Sequence, residues 1–351
     1  MEIPTGASVR TMDRQRPLAQ AVGTRAGRIA AEGAAFMAEA AFREQLLADG
    51  PEVWLAACEA HARDLLALGI TRIGDAAVAP TVERLYQRAA EEGRPPITVH
   101  SMPVASTSLL LPRFDGPATG EGPSRAPTGP AKPYVDGGHR CAVCLSAGQA
   151  AWVAGALLKN VLGGGGLAVL RAASRSGRPR RLGRDLHLHA GMRFWHQDAL
   201  VNAVGQGAQR GFQIALHAIG NEAIDLALTA LERNERRLTA APGRPRLEHV
   251  IFAESHQPRR IARHRSNSRR TAAGAMLAAD QAVDVDLMLR AYTLGSARAL
   301  GCEHQTGSIT PGKQADLVHL SHDPLTHDPA HLADIQINAT RIAGNRTSPI
   351  L

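Results

Sequence analysis

Two histidines in this chain stand where a catalytic ion could be held. One stretch reads Phe212-Gln-Ile-Ala-Leu-His217-Ala-Ile-Gly220-Asn221-Glu222-Ala-Ile-Asp225, and after an amphipathic segment it closes on Arg246-Leu-Glu248-His249-Val-Ile-Phe252. Two short apolar runs each end in a histidine. Between them Leu226, Ala227, Ala230 and Leu231 recur at helical spacing. A strand–helix–strand of this length makes the two strands parallel neighbours. Both imidazoles then lie at carboxyl strand ends, where parallel α/β folds gather their ligands. Two imidazoles so placed can share one divalent ion. Two hydrogen-bonded histidines at strand ends are the plain alternative, and spacing alone leaves both readings open.

Other chemistry-bearing residues are scattered. Cys141-Ala-Val-Cys144 has CxxC spacing but lacks a second such pair or a nearby histidine pair to complete a zinc knuckle, so it reads as structural or incidental. Asp185-Leu-His187-Leu-His189 contains His-x-His; in a strand both rings share one face, but histidines in a loop or in a supporting role are the simpler reading. Asp280, Asp284 and Asp286 precede a helical pattern, and a cap or first-turn acid accounts for Asp284. Gly163-Gly-Gly-Gly166 lacks the Lys-Ser/Thr of a phosphate loop and reads as a turn. His319, His322, His327 and His331 fit no ligand spacing and read as surface residues.

The elements that must position these groups come from a chain of 351 residues, 44% hydrophobic and only 3% aromatic. That is enough for one large domain or two ordinary ones, with a core of Ala, Leu, Val and Ile. The formal charge is +8 and the pI about 10.0. Six arginines lie between Arg171 and Arg184, and six more between Arg259 and Arg270. Neither tract carries base-stacking aromatics, so solvated loops are favoured over a nucleic-acid site. Four separated thiols do not make a disulfide framework. The sequence shows no signal-peptide pattern and no 18-residue apolar run, which points to a cytoplasmic protein with no membrane partner.

Along the chain, Ser8–Asp13 and Gln20–Ile29 read as two strands, Gly307–Leu320 as a turn followed by an apolar strand, and Ile335–Ile342 as a final strand. Two terminal β segments flanking an α/β middle suggest a small sheet built by both ends. Ala118–Pro133, rich in Pro and Gly, reads as a surface loop.

The chain resembles the amidohydrolase superfamily, in the branch called amidohydrolase family 3. The resemblance is carried by VRTMDRQRPLAQAVGTRAGRI at 9–29, GITRIGDA at 69–76, KPYVDGG at 132–138, FQIALHAIGNEAIDLAL at 212–228, RPRLEHVIF at 244–252, RAYTLGSARALG at 290–301 and GSITPGKQADLVHLSHDPL at 307–325. It implies a (β/α)₈ barrel, a small β-sandwich from the two ends, and a divalent-metal site that activates water against amide-like C–N bonds, with zinc the expected ion. By motif position it implies that Lys132, His217 and His249 are metal ligands. The lysine could serve as a carbamate, since an ammonium cannot ligate.

This sequence departs from the family pattern in two places. No His-x-His ends a first barrel strand, because Gly27–Gly33 runs into the helical pattern Ala34–Leu47. No strand-eight aspartate is present where His264–Ser268 joins Arg269–Gly274. Strand candidates are Ile70–Asp75, Ile97–Met102, Lys132–Asp136, Gln213–Ala218 and Leu247–Phe252, matching family strands two to six, and five strands cannot close as eight do.

The expectation is therefore an α/β protein with an incomplete TIM-like (β/α) barrel over 34–300 and a small β-sandwich from 1–33 and 301–351. By descent it is a hydrolase of non-peptide C–N bonds, with impaired catalysis, acting on a small amide-like molecule. A catalytically inactive fragment or pseudoenzyme is one alternative, and an anion or nucleic-acid binder acting through the arginine tracts is another. A homo-oligomer is left open.

Overall fold

The computed structural model describes residues 5–10, 18–25, 28–33, 47, 50–94, 96–105, 108–137, 141–162, 180–183, 186–254, 256, 257, 260 and 284–348. The helical pattern at Ala34–Leu47 (Leu47 apart), the glycine run at 163–166, Asp280, and all of the second arginine tract but Arg260 lie outside these residues. The chain divides into two compact units, one of residues 1–65 with 92–96 and one of 66–91 with 97–351.

The first unit holds an antiparallel sheet of β1 (Thr5–Arg10), β2 (Leu18–Arg25) and β3 (Arg28–Gly33), and most of helix α1 (Pro51–Ala67). Where the sequence reads one strand at 20–29 there are two, with Arg25 opposite Arg28. Gly27 inside the apolar pattern is the signal for such a break. Arg94 ion-pairs with Glu52 at 3.0 Å and also with Glu59.

The second unit is organised by parallel pairing. In chain order it contains β4 (Arg72–Val78), α2 (Pro80–Glu91), β5 (Thr98–Ala105), β6 (Ser108–Pro112), β7 (Val143–Leu145), α3 (Ala147–Asn160), β8 (Arg180–Leu182), β9 (Leu188–Ala190), α4 (Gln197–Gln209), β10 (Ala215–Ala218), α5 (Asn221–Arg233), α6 (Glu235–Ala240) and β11 (Arg246–His249). Helices α7 (Val285–Arg290) and α8 (Ser296–Ala299) follow, then the antiparallel sheet β12 (Leu317–Leu320), β13 (Ile337–Ile342) and β14 (Asn345–Ser348). Asp284 caps α7 as the sequence predicts, accepting from Leu287 N–H at 2.7 Å. Among the described residues no helix is long and apolar enough to cross a membrane.

β4 runs parallel to β5, and β10 parallel to β11. Between these pairs lies the extended segment 125–136. Val99 N–H donates to Arg125 O, and Gly129 N–H to Ser101 O. On its other side Ala215 N–H donates to Ala131 O, His217 N–H to Pro133 O, and Val135 N–H to His217 O. The result is a parallel arc in the order β4, β5, 125–136, β10, β11, which does not close among the described residues. Two sequence expectations need correction here. Residues 132–136 form isolated bridges instead of a strand, because Pro133 has no N–H to give the ladder. The expected surface loop 118–133 is exposed only in its first part; Ala126 to Pro133 are buried against β5 and β10.

A hydrophobic core packs around β10. Leu200 and Val204 of α4, Phe212, Ile214 and Leu216, and Ile224, Leu228 and Leu231 of α5 are wholly buried. Each large apolar side chain contributes about 1.5–3 kcal/mol by leaving water. This core anchors β10, the strand that carries His217.

Candidate metal centre

Register sets which side chains meet. In parallel strands, directly paired residues share a face, and alternate residues along one strand share it too. Tyr134 is the bridge partner of His217, and His217 pairs with Glu248. Lys132, Tyr134, His217 and Glu248 therefore rise from one face of three adjacent segments. His249 should point the other way by pleat alone. It does not, because His249 and Val250 both adopt left-handed backbone, at φ 73° and 49°. That conformation is uncommon for non-glycine residues and costs on the order of 1 kcal/mol or more. It ends β11 short of the predicted Phe252 and brings the His249 ring to 4.4 Å from that of His217, nearly edge to face.

The three residues singled out by the sequence thus come together. Lys132 and His217 are buried at 7% and 8% exposure. The Lys132 ammonium ion-pairs with Glu248 Oε2 at 2.6 Å and lies 5.3 Å from the centre of the Tyr134 ring. Arg246 holds the other oxygen of Glu248. Burial opposes the Glu248 charge, but Arg246 and Lys132 outweigh it and hold its pKa down at about 2. Burial, then the neighbouring His249 and Lys132, lowers the pKa of His217 to about 4. His217 is therefore a neutral imidazole, the form that binds metals.

Neither ring nitrogen of His217 has a hydrogen-bond partner of normal geometry, and Asp136 Oδ1 stands 3.9 Å from Nε2. Buried polar atoms are nearly always satisfied, so an orphaned imidazole beside a second imidazole marks a place for something else. The pair fits a borderline ion bonded at about 2.0–2.1 Å. Lys132 fits less well, because as an ammonium it is committed to Glu248. Among the described residues no group of three or more His, Cys, Asp or Glu side chains is arranged around one metal position.

Sequence reasoning missed the role of Asp136. Its carboxylate is fully buried and accepts from Ala142 N–H at 2.9 Å, Ile219 N–H at 3.0 Å and Gly220 N–H at 2.9 Å. It ties the 125–136 segment to the start of α5, just past His217. Burial raises its pKa, against the pull of these N–H groups. Gly220 is required by close approach, since a Cβ there would fall 1.8 Å from Ala142 O. His187 and His189 do not join the site: His189 lies on β9 and bonds Glu222 at 3.2 Å.

Comparison with known proteins adds to this geometry. Residues 263–347 match a family described as the amidohydrolase family. Over 346 residues the chain is 24% identical to an N-substituted formamide deformylase of Arthrobacter pascens, covering 80% of this chain and 58% of that protein. A stretch of 78 residues is 35% identical to a 5-methylthioadenosine/S-adenosylhomocysteine deaminase of Teredinibacter turnerae, covering 22% of this chain and 17% of that one. The fold is similar to an uncharacterized metal-dependent hydrolase from Pyrococcus horikoshii, with a TM-score of 0.55 at 19% identity over 84% of this chain and 64% of that one. A second such hydrolase, from Pyrococcus furiosus, gives 0.54 at 17% identity, over 83% and 64%. The chain spans less than two thirds of the length of each of these relatives. The likeness to the amidohydrolase family is thus carried by residues 263–347 and by a distant resemblance over most of the chain.

Proposed function

We propose that this chain descends from a metal-dependent hydrolase of non-peptide C–N bonds and retains half of its metal centre. The arc of β4, β5, 125–136, β10 and β11 is then an incomplete TIM-like barrel. The observation that carries the reading is the buried, neutral, unpartnered His217 ring 4.4 Å from the ring of His249. These two residues would hold one divalent ion, zinc being the best match to imidazole donors in a tetrahedral site. Such an ion supplies Lewis acidity and lowers the pKa of bound water.

The chain's own residues limit the chemistry open to it. His217 and His249 orient the centre from the ends of a rigid strand pair. Glu248 holds Lys132 as a cation, and a carbamylated Lys132 could complete the ligand set only if that pair opens. Asp136 cannot act as general base, because backbone N–H groups occupy its carboxylate. The sequence has no His-x-His at a first strand and no strand-eight aspartate. Loss of a general base costs about 10²–10⁴ in rate, so turnover of a small amide-like substrate is impaired.

The test is metal analysis of the purified full chain. One zinc per chain, removed by His217→Ala and by His249→Ala, supports the half-site. No stoichiometric metal overturns it and favours an inactive fragment, the reading to which the Lys132–Glu248 pair lends weight. Robust turnover of an N-formyl or N-acyl substrate overturns the impairment.

A further inference from the structure

The CxxC and His-x-His motifs, unrelated in the sequence, meet in the second unit. β7 pairs antiparallel with β9, and Cys144 is directly opposite His189. Opposed residues in such a ladder carry their Cβ atoms about 4.5–5.5 Å apart on one face, within reach of a thiol and an imidazole. His189 Nδ1 is 3.2 Å from Glu222 Oε2, and Arg193 Nη1 holds the other Glu222 oxygen at 3.2 Å. A carboxylate only accepts, so Nδ1 carries the proton and Nε2 is left as the basic nitrogen. The order thiol, imidazole, carboxylate is that of an activated nucleophile, its base and the group that orients the base.

Cys144 is also fixed in place. The Asn221 amide grips its backbone from both sides, with Oδ1 accepting from Cys144 N–H at 2.8 Å and Nδ2 donating to Cys144 O at 2.6 Å. Asn221 opens the 13-residue helix α5, so the cysteine sits at a helix N-terminus, which favours a thiolate. The groups around it are Cys141 in the preceding loop, His189, Glu222 of α5, Arg193, and Glu254 bonded to Asn221. Cys144 is part-exposed, and the His189 and Glu222 side chains are 16% and 15% exposed, so a small molecule can reach them.

We propose that Cys144, His189 and Glu222 form a reactive-thiol site for soft carbon electrophiles, separate from the metal centre. His189 Nε2 takes the proton from Cys144 Sγ. The thiolate then attacks the electrophilic carbon, an S–C bond forms, and the leaving group departs with its electron pair. With iodoacetamide as probe, the products are S-carboxamidomethyl Cys144, an imidazolium and iodide.

The experiment labels the full chain with limiting iodoacetamide and follows each thiol by peptide mass spectrometry. Cys58, also part-exposed, is the internal control. Cys144 is expected to react roughly tenfold or more faster than Cys58 at pH 6.5, with a half-point on the rate profile below the ordinary thiol value of about 8.5. His189→Gln should abolish that advantage and return the profile to the ordinary value, while Glu222→Gln should reduce it less. Should a variant fail to fold, the Cys144-to-Cys58 ratio and pH profile of the unaltered chain decide alone. Equal rates at the two thiols, labelling of Cys141 first, or an unchanged rate in folded His189→Gln would overturn the proposal.

Discussion

His100 and His217 make an instructive pair. Each lies within one parallel arc, His100 in β5 and His217 at the end of β10. Each is buried with both ring nitrogens lacking a normal partner, and burial lowers each pKa to about 4. Their surroundings separate them. The charge that acts on His100 is that of Arg72, which is itself tied to Asp316 at 3.3 Å. His217 instead faces a second imidazole, a tyrosine ring at 4.9 Å, and the charges of Lys132 and Glu248. A perturbed histidine is therefore a weak sign of function; a perturbed histidine among other donors is a stronger one.

The contrast can be broken most severely at Gly220. Gly220→Ala should destabilise the chain by roughly 3 kcal/mol or more, since a Cβ overlapping the Ala142 carbonyl cannot be relieved by a rotamer change. Urea denaturation reads the loss, and a folded variant within about 1 kcal/mol of the parent, on the scale of ordinary substitutions, would show that the α5 start is not the site's anchor. Glu248→Gln should cost about 3 kcal/mol by leaving Lys132 a buried unpaired cation. An unchanged denaturation midpoint would mean that the pair contributes nothing net.

A metal titration sharpens the comparison further. His217→Ala should abolish stoichiometric zinc binding, since it removes one of the two imidazole donors, while His100→Ala should leave zinc per folded chain unchanged. Equal losses in both variants would erase the distinction drawn between the two histidines. The smallest effect is on acid stability. The folded pKa of His100 lies below its unfolded value of 6.5, so the unfolded chain gains a proton first as pH falls. Stability is then lost between pH 6.5 and about 4, with about 1 kcal/mol going from pH 6.5 to 5.5. His100→Gln should flatten that slope, and a parallel slope in the variant would assign it to other groups.

Much of the arc was legible. Four of the five strand candidates are strands, and the β10–α5–β11 unit follows from two apolar runs and one helical stripe. The fifth candidate failed as a strand because Pro133 interrupts its ladder, although its neighbours pair on both sides. Ala126 to Pro133 looked like surface because proline and glycine mark turns, yet backbone pairing with β5 and β10 buries them. Asp136 sat in a quoted motif without a role, since three N–H donors from two loops converge on it only once the chain is folded.

What the sequence determined by itself is local: where apolar runs end in histidine, which helix joins them, and where Asp284 caps a helix. These depend on periodicity and on neighbours a few residues away. Only tertiary structure decided that His249 turns toward His217, that Glu248 takes Lys132 as an ion pair, and that Cys144 faces His189. The first depends on two left-handed residues and the others on strand register, and neither quantity is written in residue spacing.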